Sequence, residues 1–174
     1  MRTAWRRIAT GRDSGAAAVE FALLFPLFLA IVFGIINFGF AFNQKINLTQ
    51  TAREASRYGA TLSLAASAPG NTGDIDDWLA KVRDVALSAG GDDLSDTRPN
   101  RYVCVAYVTA DETKSLTVGS GGPPSGQPCF DDDRDDDRVQ VHVRSNTVID
   151  VLLFGGDITV ASESVTHFEA APPS

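Results

Sequence analysis

From Phe21 to Phe42 the chain reads FALLFPLFLAIVFGIINFGFAF, in which Asn37 is the only polar side chain. At about 1.5 Å of rise per residue this run makes a helix of roughly 33 Å, enough to cross the hydrocarbon core of a bilayer. No other stretch qualifies. VIDVLLF, from Val148 to Phe154, is far too short and carries Asp150. The 174 residues therefore read as one membrane span plus one modest folded domain.

The flanks set an expected orientation. Arg2, Arg6, Arg7 and Arg12 precede the span against a single acid, Asp13, while the chain after it is rich in Asp. Positive flanks stay in the cytoplasm, so the N-terminus is expected inside and the C-terminal bulk outside the cytoplasm, as a single-pass protein of the cell membrane or its surface. A secretory signal peptide shares the basic start, but its apolar core is about 7–15 residues with a small-residue cleavage site behind it. Here the run is longer and ends in NFGFAFNQKIN without such a site. The span is expected to stay in the mature protein. The net charge of −7 would become more negative still without the basic leader, which argues against nucleic acid as a partner.

Beyond Phe42 the helical pattern continues, with no Gly before Gly59 and no Pro before Pro69. Ile46, Thr49, Ala52, Ala55 and Gly59 or Leu62 recur at helical spacing, and Glu54 and Arg57 can pair on the wet side. The spacing predicts one long helix from about Ala16 into the Leu62–Ala68 region, then a loop, APGNTGD. DIDDWLAKVRDVALSAGG reads as a second helix: Asp74 caps it, Ile75, Trp78, Leu79, Val82, Val85 and Ala86 line one face, and Gly90 ends it. After Asn100 the period changes to two. RYVCVAYVTA is apolar on both faces and reads as a covered strand. RVQVHVRS turns Val139, Val141 and Val143 inward and Gln140, His142 and Arg144 outward. DITVASESVTHFEA reads as a third strand whose alternation slips near Ser162, where a bulge is expected. Residues 111–138, rich in Gly, Pro, Ser and Asp, read as a flexible exposed loop. The expected fold class is α+β, two helices and a small antiparallel sheet of about three strands.

Chemistry-bearing residues are few. Cys104 and Cys129 are the only cysteines, and outside the cytoplasm they are expected to form a disulfide. Closing a loop of that length is worth about 3.5 kcal/mol on the chain-entropy account. DDDRDDDR, Asp131 to Arg138, places Asp133, Asp135 and Asp137 in the alternation that starts an EF-hand. Its sixth loop position is Arg138 instead of Gly and its twelfth is Arg144 instead of Glu, so the calcium pattern fails and a solvated acidic loop is the better reading. His142 and His167 have no zinc spacing around them. No nucleophile elbow, Walker loop or dinucleotide fingerprint occurs, so neither an enzyme nor a cofactor is expected. Asn47-Leu48-Thr49 matches a glycosylation sequon, a pattern too short to weigh much.

One residue remains. Glu20 stands at the lip of the span, five residues after Gly15, where a carboxylate is costly unless something positive meets it. As a first-turn helix acid it would favour the positive end of the macrodipole, with Asp13 or Ser14 as cap. The arrangement around it says more. A short basic leader ends in Gly15, followed by Ala16-Ala17-Ala18-Val19-Glu20-Phe21 and the span. This G-x-x-x-x-E-F pattern resembles the processing site of type IV prepilins. The resemblance implies that a membrane-embedded prepilin peptidase cuts between Gly15 and Ala16, removing the leader and leaving the span. Cutting creates an α-ammonium on Ala16, and in an assembled bundle a neighbour's Ala16 amine can meet Glu20 and set axial register. Pro26 would loosen the helix. Gly34 and Gly39, with Ala22 and Ala30, offer close helix approach.

G-A-A-A-V-E-F-A, the early Pro26, FGIINFG and the post-membrane TAREASRYGA together resemble TadE-like pseudopilins, the TadE/TadG-like minor pilins of the tight-adherence (Flp) pilus system. Asn37 departs from that pattern, since similar proteins often carry an acid there. The implied organisation is a leader over 1–15, a transmembrane helix over 16–42 and an exported α+β domain over 43–174. The implied function is that of a minor pseudopilin acting in assembly of, and adhesion by, a type IV pilus, with partners in the peptidase, other pilins, the assembly machinery and the membrane. The alternative is an unprocessed, membrane-anchored binding module outside the cytoplasm; an anchored enzyme ranks last.

Overall fold

The computed structural model describes residues 13–62, 74–98, 100–119, 121–123, 127–151 and 154–168. The basic leader before Asp13 and most of the expected APGNTGD loop lie outside them. The architecture is α+β: helix α1 (Asp13–Thr61), helix α2 (Ile75–Gly90), a short 3-10 helix (Gly91–Leu94), and strands β1 (Tyr102–Val108), β2 (Thr113–Gly119), β3 (Arg138–Val151) and β4 (Phe154–His167). The strands form one antiparallel sheet in the order β2-β1-β3-β4.

α1 is continuous over 49 residues, straight through Pro26. Asp13 and Ser14 are already helical, so neither stands in the position before the helix that a cap requires. Its other end comes slightly earlier than expected, at Thr61, where the Leu62 amide still donates to the carbonyls of Tyr58 and Gly59. From Gly15 to Phe40 no residue of the helix is buried. From Ala41 onward one stripe is buried: Ala41, Gln44, Leu48, Thr51, Ala52, Ala55, Ser56 and Ala60. Ala52, Ala55 and Gly59 face the core as their spacing requires, and Arg53 and Glu54 face water. Ile46 does not belong to that face; it is exposed, and Leu48 takes its place.

α2 forms as its pattern dictates. The Asp74 carboxylate accepts from the Asp76 amide at 3.1 Å, and Trp78, Leu79, Val82 and Ala86 are buried. The helix closes at Gly91, whose positive φ of 50° favours glycine and whose amide reaches back to the Leu87 carbonyl. Trp78 keys the two helices together. Its indole N–H donates to the Gly59 carbonyl at 3.2 Å, and its ring meets Tyr107 edge-on with centroids 5.5 Å apart. A Cβ on Gly59 would lie 2.9 Å from the Trp78 ring, so only glycine lets the helices approach this closely.

The sheet holds one strand more than expected. Residues 113–119, inside the segment read as a flexible loop, pair with β1 along its whole length, from Val108↔Thr113 to Tyr102↔Gly119. Thr113, Ser115 and Thr117, alternating with Leu116 and Val118, suit a half-covered edge strand, and Gly119, at φ 100°, ends it against the Arg101 carbonyl. β1 is central, and all seven of its residues are buried. Val103, Val105, Tyr107, Val139, Val141 and Val143 form the face packed on the helices.

The expected bulge near Ser162 is absent. Pairing of β3 with β4 runs without interruption from Arg138↔His167 to Val151↔Phe154. The alternation slips for another reason. Ser162, Ser164 and Thr166 do point at α1, and they meet it through hydroxyls. Ser162 donates to Thr49 at 3.1 Å, Ser164 shares a 2.8 Å hydrogen bond with Ser56, and Thr166 donates to Ser56 at 2.9 Å. Each of these three hydroxyls finds its partner on the other element.

Candidate functional site

Over its first half α1 exposes nearly all of its large apolar side chains, among them Val19, Phe21, Leu23, Phe28, Ile35 and Phe38. A helix that is apolar on all sides and covered by nothing is the form a lipid-crossing segment takes, because it satisfies its own backbone. It is the one helix among the described residues that is long and apolar enough to cross a membrane. Asn37, the one polar side chain between Phe21 and Phe42, donates from Nδ2 to the Phe33 carbonyl at 2.9 Å, which lowers the cost of placing an amide in apolar surroundings.

The residues of the candidate processing site lie together at the start of this helix. Gly15, Ala16, Glu20 and Phe21 are all helical and exposed, and a Cβ on Gly15 would meet nothing within 4 Å. Ala16 and Glu20 are four residues apart, one turn on the same face. Phe21 stacks in a tilted contact on Phe25, centroids 5.4 Å apart. Nothing of the folded domain touches Gly34 or Gly39 either, so both leave backbone open on the helix surface.

Above the span, the domain begins to grip the helix at Ala41, so the expected boundary at residue 42 falls within its first turn of packing. Lys45 Nζ donates to the Ala161 carbonyl, and Asn47 Nδ2 donates to the Asp93 carboxylate at 2.7 Å and the Gly90 carbonyl at 3.3 Å. The sequon asparagine is thereby engaged against the domain. Gln44 is buried with neither Nε2 nor Oε1 hydrogen-bonded. It lines a cleft with Asn37, Asn43, Asp93, Arg98 and Val148. The pair Asn43-Gln44 directly after the last aromatic residue was the only sequence signal for this polar collar.

Cys104 and Cys129 are bonded, with an S–S length of 2.01 Å and Cα atoms 5.7 Å apart. The disulfide draws the acidic segment onto the outer face of the sheet, where Gln140 holds it by both ends of its amide. Oε1 accepts from the Cys129 amide at 3.0 Å and Nε2 donates to the Phe130 carbonyl at 3.0 Å. Asp132 and Arg138 form a 2.7 Å ion pair with both side chains only 8% exposed. The stretch is therefore not simply a solvated acidic loop: Asp131, Asp133 and Asp135 face water, while Asp132 is a structural member. Burial pushes the Asp132 carboxyl up, but hydrogen bonds from Gln140 and Arg138 and the Arg138 charge outweigh it and hold it below the usual carboxylate range. Among the described residues no cluster of His, Cys, Asp and Glu is gathered as a metal would require.

The same cover removes His142 from the wet face assigned to it. It packs against the Tyr102 and Phe130 rings, with Nδ1 3.5 Å from Glu163. Burial lowers its affinity for a proton; Glu163 opposes that and Arg144 adds to it. His167, near the chain end, pairs with Asp136.

Residues 15–57 match the model of a family described as TadE-like protein. No curated protein and no solved structure matches the chain. The match begins at Gly15, runs through the apolar half of α1 and ends at Arg57, four residues before the helix does. Over residues 15–57 the chain is thus similar to TadE-like proteins.

Proposed function

We propose that this chain is a minor pseudopilin of a tight-adherence (Flp-type) pilus, cut between Gly15 and Ala16 by a prepilin peptidase and acting without enzymatic activity in pilus assembly and adhesion. The observation that carries the reading is the start of the TadE-like match at Gly15, immediately before a bare apolar helix that leads without a break into a folded domain. The N-terminus lies in the cytoplasm, and the α+β domain is displayed on the other side of the membrane. Its partners are the peptidase, other pilins and the assembly machinery.

The chemistry of assembly follows from the cut. A new α-ammonium on Ala16 appears one helical turn from Glu20, both exposed at the edge of hydrocarbon. In a bundle, one subunit's ammonium meets a neighbour's Glu20, and at low effective dielectric an unpaired member of that couple is penalised. Glu20→Gln should still insert, since an amide enters apolar surroundings more easily, and should still be cut, because Gly15 and the leader are intact. Incorporation should fail, with Glu20→Asp intermediate. N-terminal sequencing of the membrane-bound protein from its native host should read from Ala16; a chain that still begins at Met1 would point instead to an anchored binding module. Pilus counts and cross-linking in wild-type and Gln strains test the role of Glu20, and normal assembly by the Gln variant would remove it.

A further inference from the structure

β3 and β4 outrun the rest of the sheet. β1 pairs with β3 only from Arg138 to Arg144, whereas β3 and β4 stay paired to Val151↔Phe154. Among the described residues the outer half of the hairpin has no third strand, and α1 shows where it goes. Thr166 meets Ser56, Ser162 meets Thr49, Ala161 meets Lys45, and Ile158 shares a groove with Phe38 and Phe42. Each step back along β4 is a step down α1 toward the apolar half. Beyond Ile158 the four residues to Phe154 extend about 13 Å further in that direction at strand rise.

This end of the hairpin is bare, with Ile158 and Val148 exposed among the polar Asp157 and Thr159. Ile158, on the strand face that turns toward α1, is 37% exposed beside Phe38 at 68% and Phe42 at 59%, while Val148, 65% exposed, shares the opposite face with Asp157. The groove between α1 and β4, about 310 Å³, is walled by Phe38, Ala41 and Phe42 on the helix and by Ile158, Thr159, Val160 and Ala161 on the strand. Lys45 stands at its upper end. Apolar walls below a single cation match the order of a leaflet, acyl chain below and phosphate above. The apolar surface also continues without a gap from that of the helix, so whatever solvates Phe38 and Phe42 reaches Ile158. Asp157, exposed and opposite Val148, keeps the hairpin from going deep.

We infer that the outer half of the β3–β4 hairpin is a second membrane contact, in which a phospholipid chain of the bilayer crossed by α1 lies against Ile158, Phe38 and Phe42 with its phosphate level with Lys45. The inference rests on α1 spanning that bilayer, and the test separates the two. Full-length protein with its disulfide intact is reconstituted in phosphatidylcholine vesicles, carrying an environment-sensitive fluorophore on one added cysteine. The positions are Val148→Cys and Ile158→Cys, on two different strands and both exposed enough to take a label, with Leu27→Cys as the span reference and Asp111→Cys as the water reference. Lipids bearing a nitroxide high on the acyl chain should quench most of the emission at 148 and 158, and iodide in the water should quench little; Asp111→Cys should show the reverse. If Leu27→Cys is quenched by the lipid while 148 and 158 answer only to iodide, the hairpin contact is overturned and the span stands. If Leu27→Cys is not quenched by the lipid, the span reading falls and the hairpin with it. Shielding at 148 and 158 that disappears as protein is diluted into more lipid would make the occupant a second copy of the chain and overturn the lipid assignment.

Discussion

The two halves of α1 share one backbone and differ in what surrounds them. Below Ala41 the helix carries Phe, Leu and Ile on every side and buries none of them in the domain; above it, large residues give way to Ala, Gly, Ser and Thr along one stripe, and that stripe is buried. Small residues let the helix axis come close to α2 and the sheet, and the volume between is filled from the other side by Trp78 and the valines of β1 and β3. In a membrane the lower half would need no such fit, since lipid conforms to whatever shape it meets. A single helix can thus be specified by two rules: composition where the solvent is fluid, and shape where the neighbour is a packed core.

This contrast can be broken most sharply at Ala55, fully buried, and Arg53, exposed two residues away. Ala55→Glu places an unpaired carboxylate in the core and should cost about 4 kcal/mol or more, whereas Arg53→Gln should stay within about 0.5 kcal/mol. Urea unfolding of the full chain in detergent, followed by Trp fluorescence, reads both; equal effects would mean that the buried face is misassigned. Next in size is the outer face of the sheet. Replacing both Cys104 and Cys129 with Ser should lower stability by about 2–4 kcal/mol and release the segment around Asp132, visible as faster amide exchange at Phe130 and Asp132.

A smaller effect separates the glycines. Gly59→Ala forces a methyl against Trp78, Val82 and Val139 and should cost about 1–3 kcal/mol. Gly34→Ala and Gly39→Ala meet nothing, so the folded domain should unfold at an unchanged urea concentration; any loss they cause in pilus formation then belongs to contacts between subunits. Smallest is a pH effect on the covered face. His142 binds its proton less readily when folded, so its contribution is fully present above the ordinary imidazole range and is lost as pH falls through the lowered folded value. Lowering the pH from about 7.5 to about 5 should depress the thermal midpoint, and His142→Gln should flatten that part of the profile. Asp132 acts in the same direction at lower pH, within and below the carboxylate range.

The elements legible in the sequence were those whose cause is local. The all-apolar run of α1, the capped amphipathic stripe of α2, and the alternating valines of β3 each carry their period within a few turns or residues. Beyond Arg57 the family resemblance gives no guide, and the outcomes there divide by the range of the interaction. β2 was hidden because Thr-Lys-Ser-Leu-Thr-Val, beside a run of Gly and Pro, has too little apolar character to announce a strand, and becomes one only because β1 offers it a complete ladder. Ser162, Ser164 and Thr166 looked like a break in the alternation because a hydroxyl counts as polar until its partner on α1 is in place.

The chain alone determined that one helix is fit for lipid, that its second half has a small-residue face, and that a processing-like G-x-x-x-x-E-F stands at its start, because each is a property of neighbouring residues. The cover over the outer face was decided only by the tertiary structure. An Asp-rich segment reads as solvated wherever its charges have no named partner, and the partners of this one, Arg138, Gln140 and Cys104, act on it only after the sheet has formed and the disulfide has closed. The reach of the β3–β4 hairpin down α1 is of the same kind: its direction depends on a seam of hydroxyls and one lysine joining positions more than a hundred residues apart, which no local pattern can encode.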